Sequence, residues 1–291
     1  MKLVTIELQG QEQAAFLTDR GVIPLTWLNE DQNSDWHTNL FTLLQNQQLK
    51  TLQDWYVSGG QETLAALPAL PGHDVSYRVL YRQPGKMIGV GMNYLAKAIE
   101  LSGRPPEDEP VIFLKPDTSL IGPGEAIQLP DGAGQVTAEA ELAIVIGQTC
   151  RNVSEDDAMN YVAGYTTSLD MTAKEIHARN PRFMQRAKSF DTFLSLGSCL
   201  STPDEYVDLP NLKVETVLNG EVMHHNTVNR MIFSPSYLIS FLSRMMTLHP
   251  GDIILTGTPG SVVIEAGDEV ECRIAELKTL SNPVENGISF Y

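Results

Sequence analysis

Glu139 and Glu141 stand two residues apart at the head of an apolar run, Leu142 to Ile146. Successive side chains of a strand point to opposite faces, so an extended chain puts both acids on one face and Ala140, Leu142, Ile144 and Ile146 on the other. Like charges that close repel. At the start of a segment apolar enough to be buried, they call for a compensating cation or proton. A hard divalent ion is one such partner; a strand end solvated by water is the plainer alternative. A second stretch, Tyr161 to Asp170, is rich in β-branched and aromatic residues and finishes on an acid, followed by a polar, helix-prone segment from Thr172 to Arg179. Asp170 is a third candidate oxygen donor, or equally the N-cap of that helix. Three carboxylates with no Cys or His among them favour Mg²⁺ or Mn²⁺, with Ca²⁺ as a further candidate, over zinc or copper.

Other motifs are weighed in the same way. Gly89-Val-Gly91 lacks the third glycine of a dinucleotide-binding turn, and there is neither a Walker A lysine motif nor a G-x-S-x-G elbow. His224 and His225 are adjacent, so an extended chain points them apart and away from a shared ion; a surface loop after Asn219-Gly220 is their expected home. Thr256-Gly-Thr-Pro-Gly260 follows the apolar Ile253-Ile-Leu255, and its backbone amides with the Thr258 hydroxyl suit a carboxylate, although a purely structural turn would also need these glycines.

The elements that must position these residues are mostly strands. Residues 1–72 read as a small N-terminal domain: strands at Lys2–Gln9 and Gln13–Thr18, a turn at Asp19-Arg-Gly21, one helix from Asn39 to Val57 ended by Gly59-Gly60, and a Pro-punctuated linker at Leu67 to Gly72. Residues 73–291 read as a second, larger domain that carries the acids. There, turn signals such as Gly122-Pro-Gly124, Asn219-Gly220 and Ala266-Gly-Asp268 separate short strands, with helices at Ser154 to Asn160 and Ser236 to Met246. The pattern is not an alternating βαβα string, so the expected class is β-rich α+β, a roll and not a doubly wound sheet.

With 20 Lys and Arg against 36 Asp and Glu, the formal charge of −16 disfavours nucleic acid and anionic lipid as partners. A small anionic substrate would then need local cations, for which Lys115 and Lys188 are candidates. Cys150, Cys199 and Cys272 are far apart, form no CxxC pair and are odd in number, which suggests a reducing compartment. No apolar stretch approaches membrane-spanning length and the start is not a signal peptide, so a cytoplasmic protein is expected.

Seven blocks in order, from about Lys86 to Val284, resemble the fumarylacetoacetate hydrolase superfamily. They are Ile88 to Tyr94 with Glu100, Pro110 to Pro116, the Glu139/Glu141 strand, Gly164-Tyr165 to Asp170, Lys188 to Phe193, Asn219-Gly-Glu221, and Leu248 to Gly260. The resemblance implies a mixed β-sandwich roll that forms homodimers, a metal held by Glu139, Glu141 and Asp170, and a small 2-oxo acid substrate. It implies that Lys188 faces the site, where its charge would stabilise a developing enolate, and that Thr258, Tyr94, Lys174 and His177 contact substrate. Lys174 stands where Arg is common, and His177 where the family often has Gln. In hydrolytic members a His three residues before a Glu forms a water-activating dyad on a mobile lid. Here those positions hold Lys97 and Glu100, and a lysine beside a carboxylate stays charged and makes a poor base. Carbon–carbon hydrolysis of an acylpyruvate is the first expectation. Oxaloacetate-type decarboxylation or keto–enol isomerisation is the alternative, since it needs an electron sink but no activated water, and a metal-binding relative without turnover is the third reading.

Overall fold

The computed structural model describes residues 1–102, 106 and 108–287, the side chains of residues 100–102 and 181 excepted. Its two longest strands, Val136–Ile146 and Val162–Ala173, pair antiparallel along almost their whole length. On one face Ala138, Ala140, Leu142, Leu169 and Met171 join the largest apolar cluster, together with Val214, Val270, Cys272 and Leu280 of a second sheet. On the other, Ala143 and Val145 pack with Leu3, Phe16 and Leu25 from the N-terminal segment. Burial on both faces explains why Leu142 to Ile146 reads as continuously apolar.

The larger sheet runs, in spatial order, Gly21–Pro24, Gln11–Thr18, Lys2–Leu8, Cys199–Ser201, Val162–Ala173, Val136–Ile146, Ile253–Leu255, Met87–Gly91 and Val111–Lys115. Ser261–Ile264 lies against the first half of Val136–Ile146. Lys115 ends a strand four places from that of Asp170 in this order, yet its Nζ donates to Asp170 Oδ1 at 2.7 Å. Only a sheet that curls back over itself brings them together, and this is the roll. The smaller sheet orders Glu221–Thr227, Lys213–Leu218, Glu269–Ile274, Leu280–Asn286 and Ile127–Leu129, and covers one face of the roll. The fold is a β-rich α+β sandwich.

Several local expectations hold. Ser154 caps the helix Glu155–Ala158 by accepting from Asp157 N, and the helix Pro235–Met245 begins on a Ser234 cap. Others need correction. The expected single helix over residues 39–57 is two, Leu40–Gln45 and Gln48–Trp55, broken where Gln47 takes a left-handed φ of 57°. His224 and His225 are not in a loop but on the strand Glu221–Thr227 at the margin of the smaller sheet, where Val222, Met223 and His225 are exposed while the His224 ring packs against Gly260. Among the described residues no helix is long and apolar enough to cross a membrane.

Candidate active site

The register of the two long strands builds the acidic centre. Asp170 is the direct cross-strand partner of Glu139, and Ser168 of Glu141, so the three acids project from one face. One carboxylate oxygen from each lies within 4.8 Å of the others. Glu141 and Asp170 are buried and Glu139 nearly so, which rules out the solvated strand end. The helix-cap alternative for Asp170 also fails: Met171, Thr172 and Ala173 continue the strand opposite Ala138, Thr137 and Val136, and the helix starts only at Lys174.

Two buried lysines flank Asp170. Lys188 Nζ donates to Asp170 Oδ2, to Glu139 Oε2 at 3.0 Å and to Thr172 Oγ1 at 2.8 Å. Its helix, Met184–Lys188, is clamped to the strand Val111–Lys115 by Gln185, whose amide both accepts from Leu114 N and donates to Leu114 O. Lys188 also lies over the Phe113 ring, 4.5 Å from its centroid, and that ring fills the space where Gly89 has no side chain. Burial alone would lower Lys188, but Asp170 and Glu139 outweigh it and hold the ammonium above its usual value. Lys115 keeps less compensation, and burial brings it down to about 8. Asp170, held against its burial by both lysines, stays below the usual carboxylate range. Glu141 goes the other way: burial and the charges of Asp170 and Glu139 push it well up. The one hydrogen bond its carboxylate accepts among the described residues comes from Gly257 N at 2.7 Å.

Lys97 reaches the same face from the helix Leu95–Ser102. Its Nζ is 2.9 Å from Ser261 Oγ, and Ser261 is the cross-strand partner of Glu139 on the side away from Asp170. The acids thus sit between Lys97 and the pair Lys115 and Lys188. Thr258 lies in the turn that carries Gly257, but its hydroxyl donates to Gly260 O at 2.9 Å and accepts from Gly260 N, so in this conformation it serves the turn. Tyr94 is fully buried, its hydroxyl unpartnered among the described residues; burial and the nearby charge of Glu141 push the phenol up. It backs the acidic centre and lines no open cleft. His177 is half-buried on the helix Lys174–Arg179, and burial followed by the Lys188 charge lowers its pKa. Lys174 is exposed at the start of that helix. The Glu100 side chain lies outside the described residues.

The arrangement fits a hard divalent ion. All donors are oxygens, they converge from two strands, and the buried Glu141 carboxylate has no cation in hydrogen-bonding contact among the described residues to offset its neighbours. Sequence reasoning passed over Ser261 and Gln185 and gave Asn93 no role of its own; what each does depends on partners far along the chain.

The sequence signature described as fumarylacetoacetate (FAA) hydrolase C-terminal matches residues 86–285. The chain belongs to this family. Among curated relatives it is 38% identical over 237 residues to the mitochondrial oxaloacetate tautomerase Fahd2a of Rattus norvegicus, covering 78% of this chain and 75% of that one. Among solved structures it resembles a 5-carboxymethyl-2-hydroxymuconate delta-isomerase from Mycobacterium smegmatis, with TM-score 0.75, 31% identity and 99% and 100% of the two chains covered. It also resembles the maleylpyruvate hydrolase of Sphingobium sp. SYK-6 in complex with manganese(II) and pyruvate, with TM-score 0.80, 27% identity and the same coverage.

Proposed function

We propose that this chain is a divalent-metal-dependent enzyme that interconverts the keto and enol forms of a small 2-oxo dicarboxylic acid of the oxaloacetate type. The observation that carries the reading is Lys97, held on Ser261 beside Glu139, where the family resemblance puts the water-activating His of hydrolytic members. A divalent ion held by Glu139, Glu141 and Asp170 would supply Lewis-acid polarisation of the 2-oxo group. Ketonisation requires one proton delivered to C3 and one removed from the enol oxygen, and consumes no water. The Lys97 ammonium is a donor for the first transfer, the enol proton passes to solvent, and the neutral amine left behind regains a proton from solvent; in the reverse direction that amine takes the C3 proton and the enol oxygen is reprotonated from solvent. Lys188 and Lys115 offset the acids from the far side, keeping an anionic substrate from meeting uncompensated carboxylates. Thr258, on rotating away from Gly260 O, can donate to the substrate carboxylate, and His177 and the exposed Lys174 are further candidates for substrate contact. The relative named an oxaloacetate tautomerase and the isomerase neighbour support this reading.

The test follows the decay of enol-oxaloacetate absorbance with Mn²⁺, with and without protein. Acceleration above the metal-only rate, lost in Lys97→Ala, is the expected result. A decay equal to the metal-only rate, alongside turnover of acylpyruvates, would shift the assignment to carbon–carbon hydrolysis, the second reading, which the full-length similarity to maleylpyruvate hydrolase supports. Carbon dioxide release from oxaloacetate would instead identify a decarboxylase, and silence on all three substrates a relative without turnover.

A further inference from the structure

The turn after Ile253–Leu255 contains one peptide unit held at both ends. The carbonyl oxygen of Thr256 accepts from Asn93 Nδ2 at 2.8 Å, and the N–H on the other side of the same peptide, that of Gly257, donates to Glu141 Oε2 at 2.7 Å. A trans peptide is planar, so its C=O and N–H point in opposite directions, and fixing one fixes the other. Hydrogen bonds through one peptide also polarise each other. Asn93 is itself immobile. It is fully buried, gives its second amide hydrogen to Phe233 O at 3.0 Å, and accepts from Phe233 N at 2.8 Å. Gly257, at φ +93°, has no room for a side chain because a Cβ there would stand 2.8 Å from Asn93 Cβ. Two residues beyond Asn93 begins the helix Leu95–Ser102, which carries Lys97.

We propose that Asn93 is a positioning residue for Glu141, acting through the Thr256–Gly257 peptide, and that this relay couples the root of the Lys97 helix to cation loading of the acids. The proposal rests on the reading of Glu139, Glu141 and Asp170 as a divalent-metal site. The relay aims the Gly257 N–H at one oxygen of Glu141 and leaves the other directed into the acidic centre. A residue touching a ligand from behind typically changes metal affinity by ten- to a hundredfold. Coupling is reciprocal, so a bound cation should also steady the Asn93 end of the helix.

The experiment measures Mn²⁺ affinity by calorimetry in the full chain, in Asn93→Ser, and in Asn282→Ser as a matched control. Asn282 is equally buried and its amide likewise donates to two carbonyls, Gly122 O at 2.7 Å and Glu125 O at 2.8 Å, away from the acids. The expected result is affinity weakened about tenfold or more in Asn93→Ser and unchanged in the control. Equal affinity in both variants would overturn the proposal. Amide exchange in the unsubstituted chain provides the second measurement, independent of whether the variant folds. Mn²⁺ should slow exchange at Gly257 and across residues 94–99. Slowing confined to the two long strands would overturn the coupling. Failure of the unsubstituted chain to bind Mn²⁺ overturns the metal reading and this proposal with it, whereas Mn²⁺ binding indifferent to Asn93 removes the relay alone.

Discussion

Glu139 and Asp170 face each other as directly paired residues of two antiparallel strands, with Lys188 Nζ bonded to both carboxylates. Because the strand period is two, a one-residue slip in this register would turn Asp170 to the opposite face and dissolve the site. The long pairing from Val136 to Ile146, anchored by apolar side chains on both faces, guards against that slip.

Glu141→Gln tests the metal assignment. The amide oxygen can still accept from Gly257 N, while the buried negative charge beside Asp170 and Glu139 is gone. Mn²⁺ affinity should fall by at least about tenfold, and the metal-free protein should melt no lower, and by preference higher, than the unsubstituted chain. Calorimetry and a thermal melt read the two effects. Intact Mn²⁺ binding together with a lowered melting point would mean Glu141 is a structural acid.

Lys97 separates the reaction types. If the ammonium is a proton donor, Lys97→Ala should slow enol ketonisation by about a hundredfold, the lower end of what a positioned acid supplies. In that case Lys97→His should leave acylpyruvate hydrolysis negligible. Should Lys97→His instead raise hydrolysis strongly, the native reaction is the hydrolytic one with an impaired lid base. Steady-state rates on both substrates decide.

Gly89→Ala probes the support under Lys188. A Cβ at position 89 would come within 2.1 to 2.7 Å of the Phe113 ring, so the ring must move and carry the Lys188 contact with it. Overpacking of this kind costs about 1–3 kcal/mol. Chemical denaturation should show that loss together with weakened metal binding; a variant as stable as the unsubstituted chain would contradict the packing described.

His177 supplies a pH dependence. Burial and the Lys188 charge depress its folded pKa below the ordinary 6.5, so the unfolded chain binds the proton more readily. Its contribution to stability is therefore complete above the unfolded value and declines as pH falls through and below it. Nuclear magnetic resonance titration of the imidazole should give a midpoint under 6.5, rising when Lys188→Met removes the nearby charge. A midpoint unmoved by Lys188→Met would place His177 away from the lysine flank.

The parts of the site written in short-range pattern were legible from the sequence. The two-residue spacing of Glu139 and Glu141 dictates a shared face wherever the chain is extended, and the seven blocks located Asp170, Lys188 and Lys97. What depends on register or curvature was not. Nothing local says that Ser261 pairs with Glu139 or that Asn93 reaches Thr256, and Lys115 meets Asp170 only because the sheet curls. The segment around His224 was misread because adjacent histidines after an Asn-Gly turn look like a loop whether or not the chain pairs as a strand, and the helix over 39–57 because its hydrophobic spacing continues across the break at Gln47.

The N-terminal strands have a further consequence for the chain's solubility. Lys2–Leu8 hydrogen-bonds to Cys199–Ser201, which in turn borders the strand of Asp170, while Leu3, Phe16 and Leu25 cover Ala143 and Val145 just beyond Glu141. Without that segment, Cys199–Ser201 would become a bare sheet margin above an uncovered apolar surface, a template on which another chain can add. Removing the first strands should therefore promote self-association through the half that carries the acids.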